Sequence, residues 1–219
     1  MGIAHNSVLK NGAGPASSPW GTGVVVTRVD SQPGYAFASA NLTKNASAFS
    51  HLERDFVFVR GLETLVVFDR IQTGSATDKT AFINHCGSVP TTTATTATCT
   101  MGTQALVMTT LVPAAPTIRV VAEGGVGQQR IEVEASPGAT QSYQLTVLQA
   151  KDASAAALSP TVTDNGTSYT VTLNGSNSIT FQKGPTSSGG SVTVNGTTSS
   201  LRAGVQSFTV TDAGPAWGN

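Results

Sequence analysis

The stretch Arg54-Asp55-Phe56-Val57-Phe58-Val59, followed after a short turn by Leu65-Val66-Val67-Phe68-Asp69-Arg70-Ile71, decides how the chain is read. In an extended strand, successive side chains point to opposite faces. Phe56 and Phe58 therefore share one face and Val57 and Val59 the other, which predicts a strand buried on both sides. Asp69 follows the apolar run Leu65–Phe68 and precedes Arg70, so the two charges are expected to close the strand and fix a turn by charge-assisted hydrogen bonds. Arg54, Asp69 and Arg70 are assigned structural roles on that basis.

The same period of two continues outward. Ile131 and Val133 alternate with Glu132 and Glu134, and Tyr143, Leu145 and Val147 with Gln144 and Thr146. Val171 and Leu173 alternate with Thr170 and Thr172, and Phe208 and Val210 with Thr209 and Thr211. An apolar face opposite a wettable one predicts antiparallel sheets packed on one side. Turn signals punctuate these segments, among them Asn165-Gly166, Asn174-Gly175 and Asn195-Gly196, and Asn-Gly is the strongest short hairpin signal. No segment has the period of an amphipathic helix; the Ala-rich run 151–158 is short and Pro160 ends it. The expected fold is all-β, an antiparallel β-sandwich of many short strands and hairpins. It is read as a single domain over residues 1–219, with a composition shift near 150–160 marking a sub-boundary. The low-complexity stretches 91–100 and 186–191 read as mobile hairpin connections.

Composition narrows the function. Charged residues make up 11% of the 219, with 12 Lys+Arg balancing 12 Asp+Glu, against a usual value of about 25%. Nucleic-acid binding needs clustered cations to release counterions, so no nucleic-acid partner is expected. No apolar run approaches the length of about 18 that spans a bilayer, so no membrane partner is expected. Met1-Gly2-Ile3-Ala4-His5 has neither the basic nor the apolar region of a signal peptide. It resembles the inside of a strand, which suggests missing upstream sequence.

Cys86 and Cys99 flank a Thr-rich stretch, where a hairpin could join them in a disulfide; two buried thiols is the alternative. The histidines are His5, His51 and His85. His85 ends an apolar strand and His5 opens one, so these two are the catalytic candidates; His51 reads as a rim residue. A structural, hydrogen-bonded role is the alternative for each. No GxSxG elbow, HExxH or paired-carboxylate motif is present.

The stretches 54–59 and 65–71 resemble a signature in the β-sandwich region of heparinase II/III-like polysaccharide lyases. Ala4-His5-Asn6-Ser7-Val8 resembles the motif that precedes it in that family. Phe82-Ile83-Asn84-His85 with Pro90 resembles the strand that follows it, and Arg130–Val133 with Leu145–Gln149 the later core strands. The resemblance implies a cleft between this sandwich and a helical toroid, an acidic polysaccharide as partner, and β-elimination next to a uronate carboxylate. The charge-poor, hydroxyl-rich composition, with a disulfide plausible, points to an exported protein, secreted or periplasmic. The resemblance also implies that His5 ligates a structural zinc, with the other ligands, the catalytic His and the toroid upstream of Met1. An apolar sheet face bared by that absence would be covered by the toroid or by a second copy.

Two other readings stand beside this one. A free-standing carbohydrate-active enzyme would need His5, His85 and His51 to converge with Arg54 or Asp69. A carbohydrate-binding or adhesive module would use Trp20, Trp217 or Tyr35 as a sugar-stacking platform.

Overall fold

Seventeen strands follow one another in the computed structural model, which describes residues 6–13, 25–43, 48–122, 128–135, 138–184 and 189–201. They are β1 (Val8–Lys10), β2 (Val25–Ser31), β3 (Tyr35–Asn41), β4 (His51–Val59), β5 (Thr64–Gln72) and β6 (Thr80–Cys86). Next come β7 (Thr91–Thr92), β8 (Thr96–Met101), β9 (Gln104–Val112), β10 (Thr117–Ala122), β11 (Gln129–Ala135) and β12 (Gln141–Asp152). The last five are β13 (Thr161–Asp164), β14 (Ser168–Asn174), β15 (Asn177–Gln182), β16 (Gly190–Val194) and β17 (Thr197–Leu201). Every pairing is antiparallel. The strands form a four-stranded sheet β1-β6-β11-β10, an eight-stranded sheet β2-β3-β4-β5-β12-β9-β8-β7, and a five-stranded sheet β13-β14-β15-β16-β17.

Packing stacks these sheets in three layers with the eight-stranded one in the middle. Phe37, Val57, Val66, Phe68, Leu145 and Val147 of the middle sheet share a core with Tyr169, Val171, Leu173, Ile179, Phe181 and Val192 of the five-stranded sheet. On the opposite face Val67, Ala97 and Met108 pack on Phe82, Ile131 and Val133 of the four-stranded sheet. The cover is unequal: Val57 and Val59 are buried against the five-stranded sheet, whereas Phe56, Phe58 and Leu65 on the other face are only half-buried, so the expected burial of this strand on both sides is met on one side only. The all-β antiparallel sandwich is therefore present as a three-sheet stack. Among the described residues no helix is long and apolar enough to cross a membrane.

One-sided packing holds for β14, whose Val171 and Leu173 are buried while Thr172 is exposed. It fails for β12. Gln144 and Thr146 are each 2% exposed, because the face that carries them meets the four-stranded sheet rather than water. Gln144 donates from Nε2 to Thr80 Oγ1 at 3.4 Å across that gap. Residues 91–100 also depart from expectation: rather than a loose connection they supply β7 and most of β8. Their threonines are β-branched and suit a strand, and the hydroxyls of Thr93 and Thr96 meet at 2.7 Å. Residues 185–188 and 202–211, which carry part of the second low-complexity stretch and Phe208 and Val210, lie outside the described residues.

Cys86 and Cys99 are bonded, with Cα atoms 5.9 Å apart. The bridge does not span one hairpin. It ties β6 of the outer sheet to β8 of the middle sheet, and in the chain-entropy account a closure of this length contributes about 3 kcal/mol. At the tip between β16 and β17, Asn195 and Gly196 take φ of 50° and 79°, the left-handed pair that an Asn-Gly hairpin turn requires. Gly190 is obligatory for another reason: a Cβ there would fall 1.7 Å from the Thr180 carbonyl oxygen on β15.

Candidate functional site

The register of β4 against β5 sets Arg54 opposite Asp69 and Glu53 opposite Arg70. Adjacent residues in a strand face opposite ways, so the two pairs lie on opposite faces of the middle sheet. Toward the four-stranded sheet, Arg54 forks onto Asp69, with Nε to Oδ1 at 2.6 Å and Nη2 to Oδ2 at 2.9 Å. Its Nη1 donates to the Asn6 carbonyl at 2.7 Å, and the guanidinium lies over the Phe82 ring at 5.2 Å. Burial pushes the Asp69 carboxyl above the usual carboxylate range, and Arg54 opposes that shift. Asp69 therefore does not close a strand or fix a turn: β5 runs on to Gln72, and the partner is across the ladder rather than next in sequence.

Toward the five-stranded sheet, Arg70 is fully buried and gives Nε and Nη2 to the Gln182 carbonyl at 2.9 and 2.8 Å. Its Nη1 lies 2.8 Å from Asp55 Oδ2 and 3.8 Å from Glu53 Oε1. The N–H is not aligned on either Asp55 oxygen, so that approach is a charge contact rather than a directed hydrogen bond. Each arginine thus reaches through one face of the middle sheet to a backbone carbonyl of a flanking layer. Both are consumed inside the stack, and neither they nor Asp69 can meet a polymer, as the free-standing-enzyme reading required of Arg54 or Asp69.

The chain of contacts from Arg54 leads to the one catalytic candidate that is described. Asn6, held by Arg54, places Oδ1 3.3 Å from Nδ1 of His85, in the four-stranded sheet. Directly opposite His85 on β11 is Arg130, whose Nε donates to Glu132 Oε1 at 2.9 Å. Arg119 holds the other oxygen of that carboxylate at 2.6 Å. This Arg119–Glu132–Arg130 network was not foreseen; the alternation of Glu132 and Glu134 signalled a polar face but not the partners that register supplies. His5, Trp20 and Trp217 lie outside the described residues.

His51 is on the other side of the middle sheet, with Nε2 3.5 Å from Glu53 Oε2. It is not brought to His85. It is also half-buried rather than a freely exposed rim residue. Burial holds the His51 pKa below 6.5, with Glu53 raising it and Arg70 lowering it. A histidine whose folded pKa is depressed is less protonated in the folded than in the unfolded chain, so stability falls as pH drops below the unfolded value of about 6.5. The imidazole should titrate below that value by NMR, and His51→Gln should flatten this part of the stability–pH curve. A midpoint at or above 6.5 would sink the assignment.

Tyr35 cannot stack on a sugar. Its ring is 4% exposed within the core shared with the five-stranded sheet, and its hydroxyl donates to Asp30 Oδ2 at 2.8 Å. Tyr143 is likewise engaged: it stacks on Phe68, and its hydroxyl accepts the Gly184 N–H at 3.1 Å.

Among the described residues no three His, Cys, Asp or Glu side chains converge to hold a metal ion. These residues do not by themselves fit a zinc site. Abstraction of a proton next to a carboxylate needs a base, an acid and a group that neutralises the carboxylate. Of these the described residues offer His85 near the end of β6, opposite Arg130, which is already paired with Glu132.

No family model matches the sequence, and no curated protein matches it. The fold, however, is shared with solved polysaccharide lyases. Heparan sulfate lyase HepC from Pedobacter heparinus superposes with a TM-score of 0.63 at 9% identity, covering 94% of this chain and 31% of that one. A mutant of the same lyase gives 0.62 at 9% identity over the same shares. A heparinase III gives 0.64 at 12% identity, over 93% of this chain and 30% of its own. At such identities the likeness is one of fold, and this chain spans under a third of each lyase.

Proposed function

We propose that the chain is the β-sandwich portion of a heparinase II/III-like polysaccharide lyase, which works on a uronic-acid polysaccharide together with a helical toroid domain. The observation that carries this reading is the structural likeness to heparan sulfate lyases over more than nine-tenths of the chain. The Cys86–Cys99 bridge supports a secreted or periplasmic location, because disulfides persist in oxidising compartments. In this role the chain is scaffold. Asn6 and His85, at the end of β6, would face substrate, and the buried arginines hold the layers that present them.

The isolated 219-residue chain should not cleave heparan sulfate, heparin or alginate. Each missing general acid or base costs about 10²–10⁴ in rate. Ultraviolet absorbance of the unsaturated uronate product, followed across a panel of acidic polysaccharides, should stay at the blank rate. Robust turnover abolished by His85→Ala would overturn the scaffold role and favour a free-standing enzyme.

A further inference from the structure

The interlayer disulfide lies in a groove of about 280 Å³ that Met101, Gly87, His85, Leu106 and Ala150 help to line. The cysteines themselves are nearly enclosed, Cys86 at 5% and Cys99 at 7% exposure. Met101 stands two residues beyond Cys99 on β8, hence on the same face of the strand. Its thioether is laid over Gly87, the residue after Cys86: a Cβ at Gly87 would meet Met101 Sδ at 2.8 Å and Cε at 3.2 Å. Met101 is also 63% exposed, whereas Met108 in the core is 1% exposed. The accessible sulfur of the described chain therefore flanks both half-cystines of its bridge.

We propose that Met101 is an oxidation site that controls access of thiols to the Cys86–Cys99 disulfide. Hydrogen peroxide is the oxidant. The Sδ lone pair attacks one peroxide oxygen, an S–O bond forms, the O–O bond breaks, and the departing hydroxide takes up the proton as water. Sulfur is oxidised and the peroxide reduced by the same two electrons. The sulfoxide is bulkier and polar, so hydration of its S–O dipole on the solvent side competes with the apolar contact on Gly87. The side chain swings into solvent and uncovers the bridge. An incoming thiolate can then attack one Sγ in line, expelling the other as thiolate.

The test uses the whole folded chain, hydrogen peroxide and dithiothreitol. Peptide mass spectrometry should find Met101 converted to sulfoxide well before Met108. Oxidised protein should then lose its disulfide severalfold faster than untreated protein, with the melting midpoint unchanged. Met101→Leu keeps the cover but has no sulfur, so it should reduce slowly before and after peroxide. Met101→Ala removes the cover and should reduce fast without peroxide. The proposal fails if Met108 oxidises alongside Met101, or if oxidised and untreated proteins reduce at one rate. It also fails if Met101→Ala reduces as slowly as wild type, if peroxide accelerates reduction of the Leu variant, or if faster reduction tracks a lowered melting midpoint.

Discussion

Asp69→Ala is expected to lower the unfolding free energy by about 3–5 kcal/mol, the range for stripping one partner from a buried ion pair. Arg54, 4% exposed, would keep its hydrogen bond to the Asn6 carbonyl and its two aromatic neighbours, but no counter-charge. The loss comes from that stranded guanidinium more than from the pair's own attraction. The double variant Arg54→Met/Asp69→Leu, which removes both charges, should therefore be more stable than Asp69→Ala alone. Urea unfolding of the three proteins checks this. Equal midpoints for wild type and Asp69→Ala, or a double variant weaker than the single, would refute it.

Arg70→Met should lose a similar amount, about 3–5 kcal/mol, for the mirror reason. Here the stranded groups are anions: Asp55, fully buried, and Glu53, 5% exposed, both face the site that Arg70 vacates. The Gln182 carbonyl also loses both of its arginine donors. Methionine fills much of the same volume and preserves contact with Phe68, so the loss should report charge rather than a cavity. Arg70→Lys restores a cation without the fork and should recover part of the loss. A denaturation curve for Arg70→Met that overlays the wild type would remove Arg70 from the list of structural residues.

What was legible in the sequence followed from local rules. Val57 and Val59 needed cover and have it, though Phe56 and Phe58 on the other face are only half-buried, and Asn195-Gly196 needed a left-handed turn. What was not legible depended on which strand lies opposite. Alternation in β12 separates Leu145 from Gln144, but a polar face against water and a polar face against another sheet's Thr80 have the same pattern. Asp69 sits next to Arg70 in sequence, yet the ladder register hands it to Arg54. The Thr-rich residues 91–100 have the composition of a linker and the β-branching of a strand, and pairing with β9 decided for the strand. Tyr35 read as a sugar-stacking candidate, yet its place in the core is set by packing against the five-stranded sheet, which no local pattern announces. At the candidate site the strand carrying His85 near its end was legible, while its Asn6 and Arg130 neighbours came from chain segments far away in sequence.

The three layers differ in how far the chain must travel to close them. β13 to β17 pair strictly in succession, each with the next, across turns of a few residues. In the middle sheet β12 instead inserts between β5 and β9, so Leu145 must find Phe68, about a third of the chain length away. Closing such loops costs entropy before any contact repays it. The five-stranded layer can therefore zip up early from local pairings, whereas the middle layer must wait for distant segments to meet. Slow assembly with a temporarily bare apolar face is thus built into the order in which the strands are threaded.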